Sequence, residues 1–219
     1  MPTRRAAILM WAAAALPAQT LRFDSKRVKA TLSAWTFAMT HEGEAPQWEI
    51  VADPTAPSAP FVLAQTSTGK TAGRFPLAIY RHAKLKDGIV SVFFKPVSGE
   101  RDQAAGLVWR YWDPNNYYIV RANALEDNVV LYKVENGERK SLQPQGLPSK
   151  SYGVKHPIPK NSWTSMQVIF SGSHFDVLIG GVKVMEVEDS TFTSSGQVGL
   201  WTKADSVIHF DDMRIRSRS

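Results

Sequence analysis

The chain has no cysteine among its 219 residues. This absence excludes disulfide bonds, thiolate nucleophiles and cysteine-based zinc sites. It also removes the residue to which a lipid anchor would be attached after signal-peptide cleavage. A domain without these devices must be held together by its hydrophobic core. A chain of this length can build such a core, since roughly 70% of its unfolded surface can be buried on folding.

Long apolar runs and concentrated basic charge are absent as well. No segment approaches the roughly 20 consecutive apolar residues that a membrane-spanning helix needs, so we expect no stable membrane insertion. Lys and Arg number 26 against 20 Asp and Glu, a formal charge of +6. The basic residues are scattered, whereas nucleic-acid-binding proteins concentrate them in a patch or stripe. We therefore expect no nucleic-acid partner.

The first 18 residues have the composition of a secretory signal peptide. A basic pair at positions 4 and 5 precedes an apolar run over residues 6–16, and a small-residue exit ends at Ala18. The apolar run is too short to span a bilayer as a helix. We predict cleavage after Ala18, export to the periplasm or the medium, and a single domain over residues 19–219.

Short segments rich in β-branched and aromatic residues fill most of the remaining chain. Turn residues separate them, and the pair Gly180-Gly181 can supply the positive φ angles of a two-residue hairpin turn. Strands at this spacing predict an all-β fold, a two-sheet antiparallel jelly-roll sandwich, rather than βαβ units. The predicted strands cover residues 61–64, 77–82, 89–94, 106–112, 117–122, 129–134, 163–171, 175–179, 182–187, 196–201 and 207–216.

The most informative stretch covers residues 106–138. Two turn signals, residues 113–116 and Asn136-Gly137, lie next to runs of aromatic and β-branched residues, which predicts consecutive hairpins. The register that follows from a four-residue loop over 113–116 pairs Trp112 with Tyr117, Arg110 with Ile119, and Val108 with Arg121.

Alternation of side chains along this hairpin predicts two different faces. A face that combines aromatic planes with guanidinium and amide donors suits sugar rings. The face expected to pack in the core holds Leu107, Trp109, Tyr111, Tyr118, Val120 and Ala122. The face expected to line a solvent-facing groove holds Arg110, Trp112, Tyr117, Arg121 and Asn123.

Three motifs resemble one family of exported bacterial proteins. The run R-x-N-x-L-E-x-N-x-x-L-Y occupies positions 121–132, G-L-V-W-R occupies 106–110, and G-L-W-T-K at 199–203 is followed by F-D-D at 210–212. Together they resemble the 3-keto-disaccharide hydrolase-like group over roughly residues 23–215. The resemblance implies a concanavalin A-like, laminin-G-like jelly roll. It also implies cleavage of a glycosidic bond next to a 3-keto sugar.

That chemistry indicates which residues would be required. The ketone acidifies the neighbouring C2 proton, so one base and one acid could eliminate the leaving group. Glu126 is the candidate base, and Arg121 or Arg110 is the candidate donor to the developing enolate. The alternative is a structural ion pair between Glu126 and Arg121. Residues predicted to bind the sugar are Arg110, Trp112, Tyr117, Asn123, Asn128, Trp201 and Lys203. For the two tryptophans among them, burial in the core is the competing interpretation.

Other kinds of site find less support. The nearest approach to the paired carboxylates of a retaining glycosidase is Glu186 with Glu188, which can also be read as a polar strand end. The five histidines are scattered without metal-ligand spacing, and we expect no cofactor. The pair Asp211-Asp212 could hold a structural calcium ion or simply face water.

Three functions remain open at this point. The first is an enzyme that cleaves keto-glycosides, and it predicts a groove with a carboxylate within reach of an arginine. The second is a non-catalytic carbohydrate-binding module, with exposed aromatic and amide side chains but no acid–base pair. The third is a laminin-G-like protein-interaction domain of the cell envelope, in which the surface containing Arg110 and Arg121 is flat or buried. A carbohydrate is the expected partner in the first two.

Overall fold

The computed structural model describes residues 18–23 and 28–218. Within them, sixteen strands and one short helix form two antiparallel sheets, which confirms the predicted all-β sandwich. The predicted signal peptide falls almost wholly on residues outside this part, so the signal peptide and the domain boundary after Ala18 stay predictions. No helix in the described part is long and apolar enough to cross a membrane.

All eleven predicted strands are present, with shifted ends, and five strands and the helix were not predicted. In chain order the elements are β1 (Gln19–Leu21), α1 (Val28–Ser33), β2 (Trp35–Thr40), β3 (Trp48–Ala52), β4 (Phe61–Gln65), β5 (Phe75–Leu85), β6 (Gly88–Ser98), β7 (Ala104–Asp113), β8 (Asn116–Asn123), β9 (Asn128–Glu135), β10 (Glu138–Ser141), β11 (Val154–Lys155), β12 (Thr164–Ser171), β13 (His174–Ile179), β14 (Val182–Glu188), β15 (Gly196–Thr202) and β16 (Val207–Ser217).

The two sheets have different strand orders. The first runs β14-β13-β12-β6-β16-β4-β3, with β1 also paired to β16, and the second runs β10-β9-β8-β7-β15-β5-β2, with β11 paired to β9. Aromatic side chains pack between them. Trp109 stacks on Tyr118 with 5.4 Å between ring centroids and meets Phe175 edge-on at 5.3 Å. This core holds the two sheets together without disulfides.

The turn between β13 and β14 has the predicted form. Ile179 pairs with Val182, which leaves Gly180 and Gly181 as a two-residue loop with φ angles of 58° and 81°. A residue with a Cβ atom would be strained in both positions. The glycine pair therefore fixes where this hairpin turns.

The predicted register of the β7–β8 hairpin is wrong beyond its turn. Val108 pairs with Ile119 rather than with Arg121, because the register shifts at a bulge between Trp109 and Asp113. Within the bulge, Arg110 has a φ of 47°. The extra residues move Tyr111 out of the predicted core face and into a cluster on the opposite face of the sheet.

That opposite face of the second sheet is itself largely buried. The second sheet curls, so that the end of β2 at one edge comes close to the β7–β8 and β9–β10 turns near the opposite edge. The Thr40 hydroxyl contacts the Tyr117 hydroxyl at 2.7 Å, and His41 Nε2 lies 2.9 Å from the Gly137 carbonyl oxygen. The cluster beneath these contacts contains Phe75, Leu77, Ile79, Ala104, Val108, Tyr111, Tyr117, Ile119, Val130, Tyr132, Val134 and Trp201.

Candidate functional site

The turn from β8 to β9 brings four of the predicted site residues together. Asn123 at the end of β8 pairs with Asn128 at the start of β9, and Glu126 lies in the turn between them. The Asn123 side-chain oxygen accepts a hydrogen bond from the Leu125 amide at 3.0 Å, a local contact that favours tight turns. Arg121 lies two residues before Asn123, on the same face of the strand.

Glu126 is the centre of the hydrogen bonds in this cluster. Arg121 donates to it from Nη2 to Oε2 at 2.8 Å and from Nη1 to Oε1 at 3.4 Å. Asn123 donates to Oε1 at 3.0 Å, and Asn128 donates to Oε2 at 2.9 Å. Arg121 also donates to the Asn128 side-chain oxygen at 2.6 Å. The side chains of Arg121, Glu126 and Asn128 are therefore each oriented by the other two, and that of Asn123 is held by Glu126.

The cluster combines a buried cation with a partly exposed carboxylate. The Arg121 side chain is 1% exposed, whereas that of Glu126 is 39% exposed. Burial alone would raise the pKa of Glu126. The charge of Arg121 and the hydrogen bonds from Asn128 and Arg121 outweigh burial and hold this pKa below its usual value. Glu126 is therefore an ionised carboxylate at neutral pH, accessible on one side.

A buried carboxylate, Asp102, links Lys203 to this cluster. Asp102 Oδ1 accepts a hydrogen bond from the Asn123 side-chain nitrogen at 2.9 Å, and Lys203 Nζ lies 2.8 Å from Oδ2. Sequence reasoning predicted Lys203 but missed Asp102. The residue stands in an irregular loop with no motif around it, and its role depends on strands that are distant in sequence. We name the set Arg121, Asn123, Glu126, Asn128, Asp102 and Lys203 the carboxylate cluster.

Asp205 holds the loop that carries Asp102. Its carboxylate accepts hydrogen bonds from the backbone amides of Glu100 at 2.8 Å, Arg101 at 3.1 Å and Asp102 at 3.0 Å. Burial raises the pKa of Asp205, but these three amides outweigh it, so the net pKa lies below its usual value. Since the ionised form accepts these bonds, the loop depends on the charge of Asp205.

We expect Asp205→Asn to remove about 2–3 kcal/mol of stability at neutral pH, because hydrogen bonds to a charged group contribute about 1.5–3 kcal/mol each and one asparagine oxygen can still accept. The pKa of Asp205 is lower in the folded protein than its value of about 3.9 in the unfolded chain, so the ionised carboxylate stabilises the fold above about pH 3.9. This stabilisation is lost as the pH falls through the folded-state pKa. Urea unfolding at pH 7, 5 and 3 measures this. The difference in free energy of unfolding between the wild type and Asp205→Asn should become smaller toward pH 3.

The matched control for that experiment is Glu138→Gln, which removes a carboxylate that is mostly exposed. We expect this control to change stability by no more than a few tenths of a kcal/mol at any of the three pH values. If Asp205→Asn lost the same unfolding free energy relative to the wild type at pH 7 and at pH 3, the prediction would be contradicted.

Arg110 does not lie on the predicted groove. Its guanidinium group is fully buried and donates to the backbone carbonyls of Phe192 and Gly172, both at 2.7 Å, and of Lys86 at 3.0 Å. The bulge in β7 turns it toward the inter-sheet core, where it lies 5.6 Å from the centroid of Phe175. The interpretation of Arg110 as a groove residue is corrected.

The predicted aromatic binding residues lie in different surroundings. Trp112 is 48% exposed and packs edge-on against Phe192 at 5.0 Å, so one face is free to meet a ligand. Tyr117 is fully buried. Trp201 is also fully buried, with its ring 5.2 Å from that of Phe75. Neither of these two is brought into the carboxylate cluster.

The alternative carboxylate pair, Glu186 and Glu188, belongs to the first sheet. Glu186 lies near His174 and Asp176, which with it form a group of side chains close enough to share an ion. However, the ammonium group of Lys183 lies 2.6 Å from Asp176 and 2.5 Å from Glu186. The Asp176 and Glu186 carboxylates are therefore already paired with a cation, and they belong to the sheet that does not contain β8 and β9.

The pair Asp211-Asp212, for which a structural calcium ion was one interpretation, makes hydrogen bonds within the chain. Asp211 accepts hydrogen bonds from the backbone amides of Ser58 at 2.7 Å and Asp212 at 2.8 Å. Asp212 accepts from the Ser58 hydroxyl at 2.7 Å and from Arg22 at 3.3 Å. Burial and the neighbouring charge of Asp212 raise the pKa of Asp211. Donors of the chain thus contact three of the four carboxylate oxygens of this pair, and a calcium ion here stays a prediction.

The chain matches the family of 3-keto-alpha-glucoside-1,2-lyase-like domains over residues 20–216. No curated protein matches the sequence. One similar solved structure is the carbohydrate-binding module CBM66 from Bacillus subtilis, with a TM-score of 0.61 and 22% identity over 82% of this chain and 93% of that one. Another is a protein of unknown function with a galectin-like fold from Bacillus subtilis, with a TM-score of 0.58 and 15% identity over 93% and 96% of the two chains.

A third similar structure is domain 4 of an extracellular arabinanase from Geobacillus stearothermophilus, solved in complex with arabinotriose. Its TM-score is 0.53, with 13% identity over 83% of this chain and 81% of that one. At such identities these structures support the jelly-roll fold and nothing further. The family match covers nearly the whole described chain. The resemblance found in the motifs at 106–110 and 121–132 is therefore confirmed, and the protein belongs to the carbohydrate-related family of 3-keto-alpha-glucoside-1,2-lyase-like domains.

Proposed function

We propose that this protein binds a 3-keto-α-glucoside at the carboxylate cluster and cleaves its glycosidic bond by elimination. The observation that carries the proposal is an ionised, accessible Glu126 held between two amides and a buried arginine. This is the acid–base arrangement that the first of the three open functions requires. Membership of a family described by this reaction supplies the substrate class.

The reaction that we propose begins with transfer of the C2 proton of the keto sugar to the Glu126 carboxylate. The electron pair left on C2 is delocalised onto the oxygen of the C3 ketone as an enolate. The enolate then reforms the ketone, a C1–C2 double bond forms, and the C1–O bond breaks. The leaving oxygen takes a proton from the now protonated Glu126, which restores the carboxylate, so the products are an unsaturated keto sugar and a free alcohol.

Two cations of the cluster are suited to the developing negative charge. Lys203 is held by Asp102, and its side chain is 16% exposed. Arg121 is held by Glu126 and Asn128, but its Nε has no hydrogen-bond partner in the part of the chain that the structure describes. Both groups are oriented before substrate binds, which is what electrostatic stabilisation of an enolate needs. Asn123 and Asn128 hold the base in one position.

A second function, binding without cleavage, is favoured by one specific observation. Both Glu126 oxygens already accept hydrogen bonds, and the lowered pKa makes the carboxylate a weak base. A side chain of this kind orients sugar hydroxyl groups well. Exposed Trp112 would provide a stacking surface for a sugar ring in the same module.

The test is a turnover assay of the protein with 4-nitrophenyl 3-keto-α-glucoside and with the unoxidised 4-nitrophenyl α-glucoside. We expect nitrophenol release from the keto compound and none from its parent, because only the ketone acidifies C2. Thermal stabilisation by both sugars without release would support the binding module. No release and no stabilisation by either sugar would overturn both proposals and favour an interaction domain.

A further inference from the structure

Tyr152 is an exposed aromatic residue that lies beside the carboxylate cluster without belonging to it. It is 51% exposed, and its ring centroid lies 5.9 Å from the guanidinium carbon of Arg121. Its hydroxyl group forms a hydrogen bond with the hydroxyl group of Tyr132. Arg121 in turn donates to Glu126 at 2.8 Å. One guanidinium group therefore separates this accessible ring from the candidate base.

The connection between β10 and β12, which carries Tyr152, is fixed to the turn that holds Glu126. Shortly after Tyr152, β11 pairs with the first residues of β9. Lys155 Nζ donates to the Glu126 backbone carbonyl at 3.0 Å, and the Asp127 carboxylate accepts from the Ile158 amide at 3.1 Å. The Tyr152 ring and the Glu126 carboxylate are thus held next to each other, although a long stretch of chain separates them.

The backbone next to Tyr152 passes so close to β9 that only glycine fits. Gly153 has a φ of 64°, and a Cβ atom at this position would overlap the Val129 carbonyl oxygen. Any other residue would both strain the backbone and push the connection away from the sheet. The glycine therefore allows the Tyr152 ring to come into contact with Tyr132 and Arg121.

The aromatic residues that the sequence analysis proposed for the sugar do not occupy this place. Tyr117 and Trp201 are fully buried. Trp112 is exposed but adjoins the turn before β8, whereas the carboxylate cluster lies at the turn after β8. A strand of this length spans roughly 25 Å, farther than one sugar ring can reach. Tyr152 is both accessible and adjacent to the base.

The surroundings of the Tyr152 ring suit it to pack against a sugar. The C–H groups of a pyranose ring form an apolar surface, which an aromatic ring can cover while polar neighbours bind the hydroxyl groups. The hydrogen bond to Tyr132 and the contact with Arg121 orient the ring before a ligand arrives. Little side-chain freedom is then lost on binding, which favours affinity.

We infer that Tyr152 is the stacking residue for the keto-sugar ring whose C2 proton Glu126 removes. The inference rests on the proposed function, since it adds a binding residue to the same site. Tyr152 holds the sugar ring against the carboxylate cluster and takes no part in proton transfer. Its removal therefore lowers the affinity for the sugar more than the rate of the chemical step.

The test is isothermal titration calorimetry of the full chain carrying Glu126→Gln with methyl 3-keto-α-glucoside, a sugar without an aromatic group of its own. We expect Tyr152→Ala to weaken binding about tenfold, because the covered face of the sugar returns to water. Tyr152→Phe keeps the ring and should bind within about threefold of the parent. The matched control, Leu147→Ala, removes a side chain that is 41% exposed from the same connection and should leave the affinity unchanged.

Two further measurements keep the inference separate from folding and from the cleavage proposal. Tyr152→Leu covers the case in which Tyr152→Ala does not fold by circular dichroism, and it should lose most of the affinity, since it has no flat ring. With Glu126 intact, Tyr152→Ala should raise KM about tenfold and lower kcat less than about threefold.

Unchanged affinity in Tyr152→Ala would overturn the inference. So would an equal loss in Tyr152→Phe and Tyr152→Ala, because the hydroxyl group rather than the ring would then bind the sugar. Ring-dependent binding without release of the alcohol would contradict the cleavage reaction and support the role of Tyr152. No binding of the keto sugar, with or without Glu126→Gln, would overturn both.

Discussion

Glu126→Gln is expected to lower the rate of alcohol release from a 3-keto-α-glucoside by about 10²–10⁴-fold, the usual contribution of a positioned general base. Glutamine has nearly the same size as glutamate, and its single side-chain oxygen can still accept a hydrogen bond at one of the two positions, from Asn123 or from Asn128. It cannot take the C2 proton. Single-turnover kinetics with 4-nitrophenyl 3-keto-α-glucoside would measure the change in the chemical step.

The pH profile separates a catalytic role of Glu126 from a structural one. The base is active only when ionised, and the pKa of Glu126 is held below its usual value by Arg121 and Asn128. We therefore expect the wild-type rate to remain constant from neutral pH down to about pH 5, above the usual glutamate value of about 4.3. Glu188→Gln on the first sheet is the matched control and should retain full activity. Unchanged turnover in Glu126→Gln would assign the base to another residue.

Arg110→Met is expected to reduce the free energy of unfolding by about 3–5 kcal/mol, the range seen when one member of a buried charge network is removed. Methionine fills a similar volume but donates no hydrogen bond. The carbonyls of Lys86, Gly172 and Phe192 would each lose a donor in a buried environment. These carbonyls belong to three separate connections, which Arg110 holds together at one end of the sandwich.

Urea unfolding measures this loss, with Arg214→Met as the control. The Arg214 side chain is 54% exposed, and we expect its removal to cost less than about 0.5 kcal/mol. If Arg110→Met instead lost sugar binding with under about 1 kcal/mol of destabilisation, Arg110 would belong to the binding surface after all. The prediction from the sequence would then have been right and the structural assignment wrong.

The part of the site within one turn of the chain could be predicted from the sequence. Arg121, Asn123, Glu126 and Asn128 are neighbours because β8 and β9 are joined by a tight turn, and alternation alone places them on one face. Arg110 could not be placed in this way. A bulge of a few residues in β7 reverses the faces of the strand beyond it, and no turn residue marks the bulge in the sequence.

The residues that sequence reasoning missed make contacts between distant strands. Arg139 meets Phe75 and Trp201 only because the second sheet curls, and neither the hairpin signals nor the alternation pattern encodes curvature. Asp102 was missed for the same reason, since its partner Lys203 follows a strand on the far side of β7. Strand positions are set by local sequence, whereas these contacts depend on how whole sheets are ordered and bent.

The order of the strands also determines when during synthesis the fold can form. β15 lies between β7 and β5 in the second sheet, and β16 lies between β6 and β4 in the first. These two strands come after all the others in the described part of the chain, yet each joins two halves of its sheet. Until they are made, each half exposes an unpaired edge, which is a risk for aggregation. The chain therefore cannot complete either sheet before β15 and β16 have been synthesised.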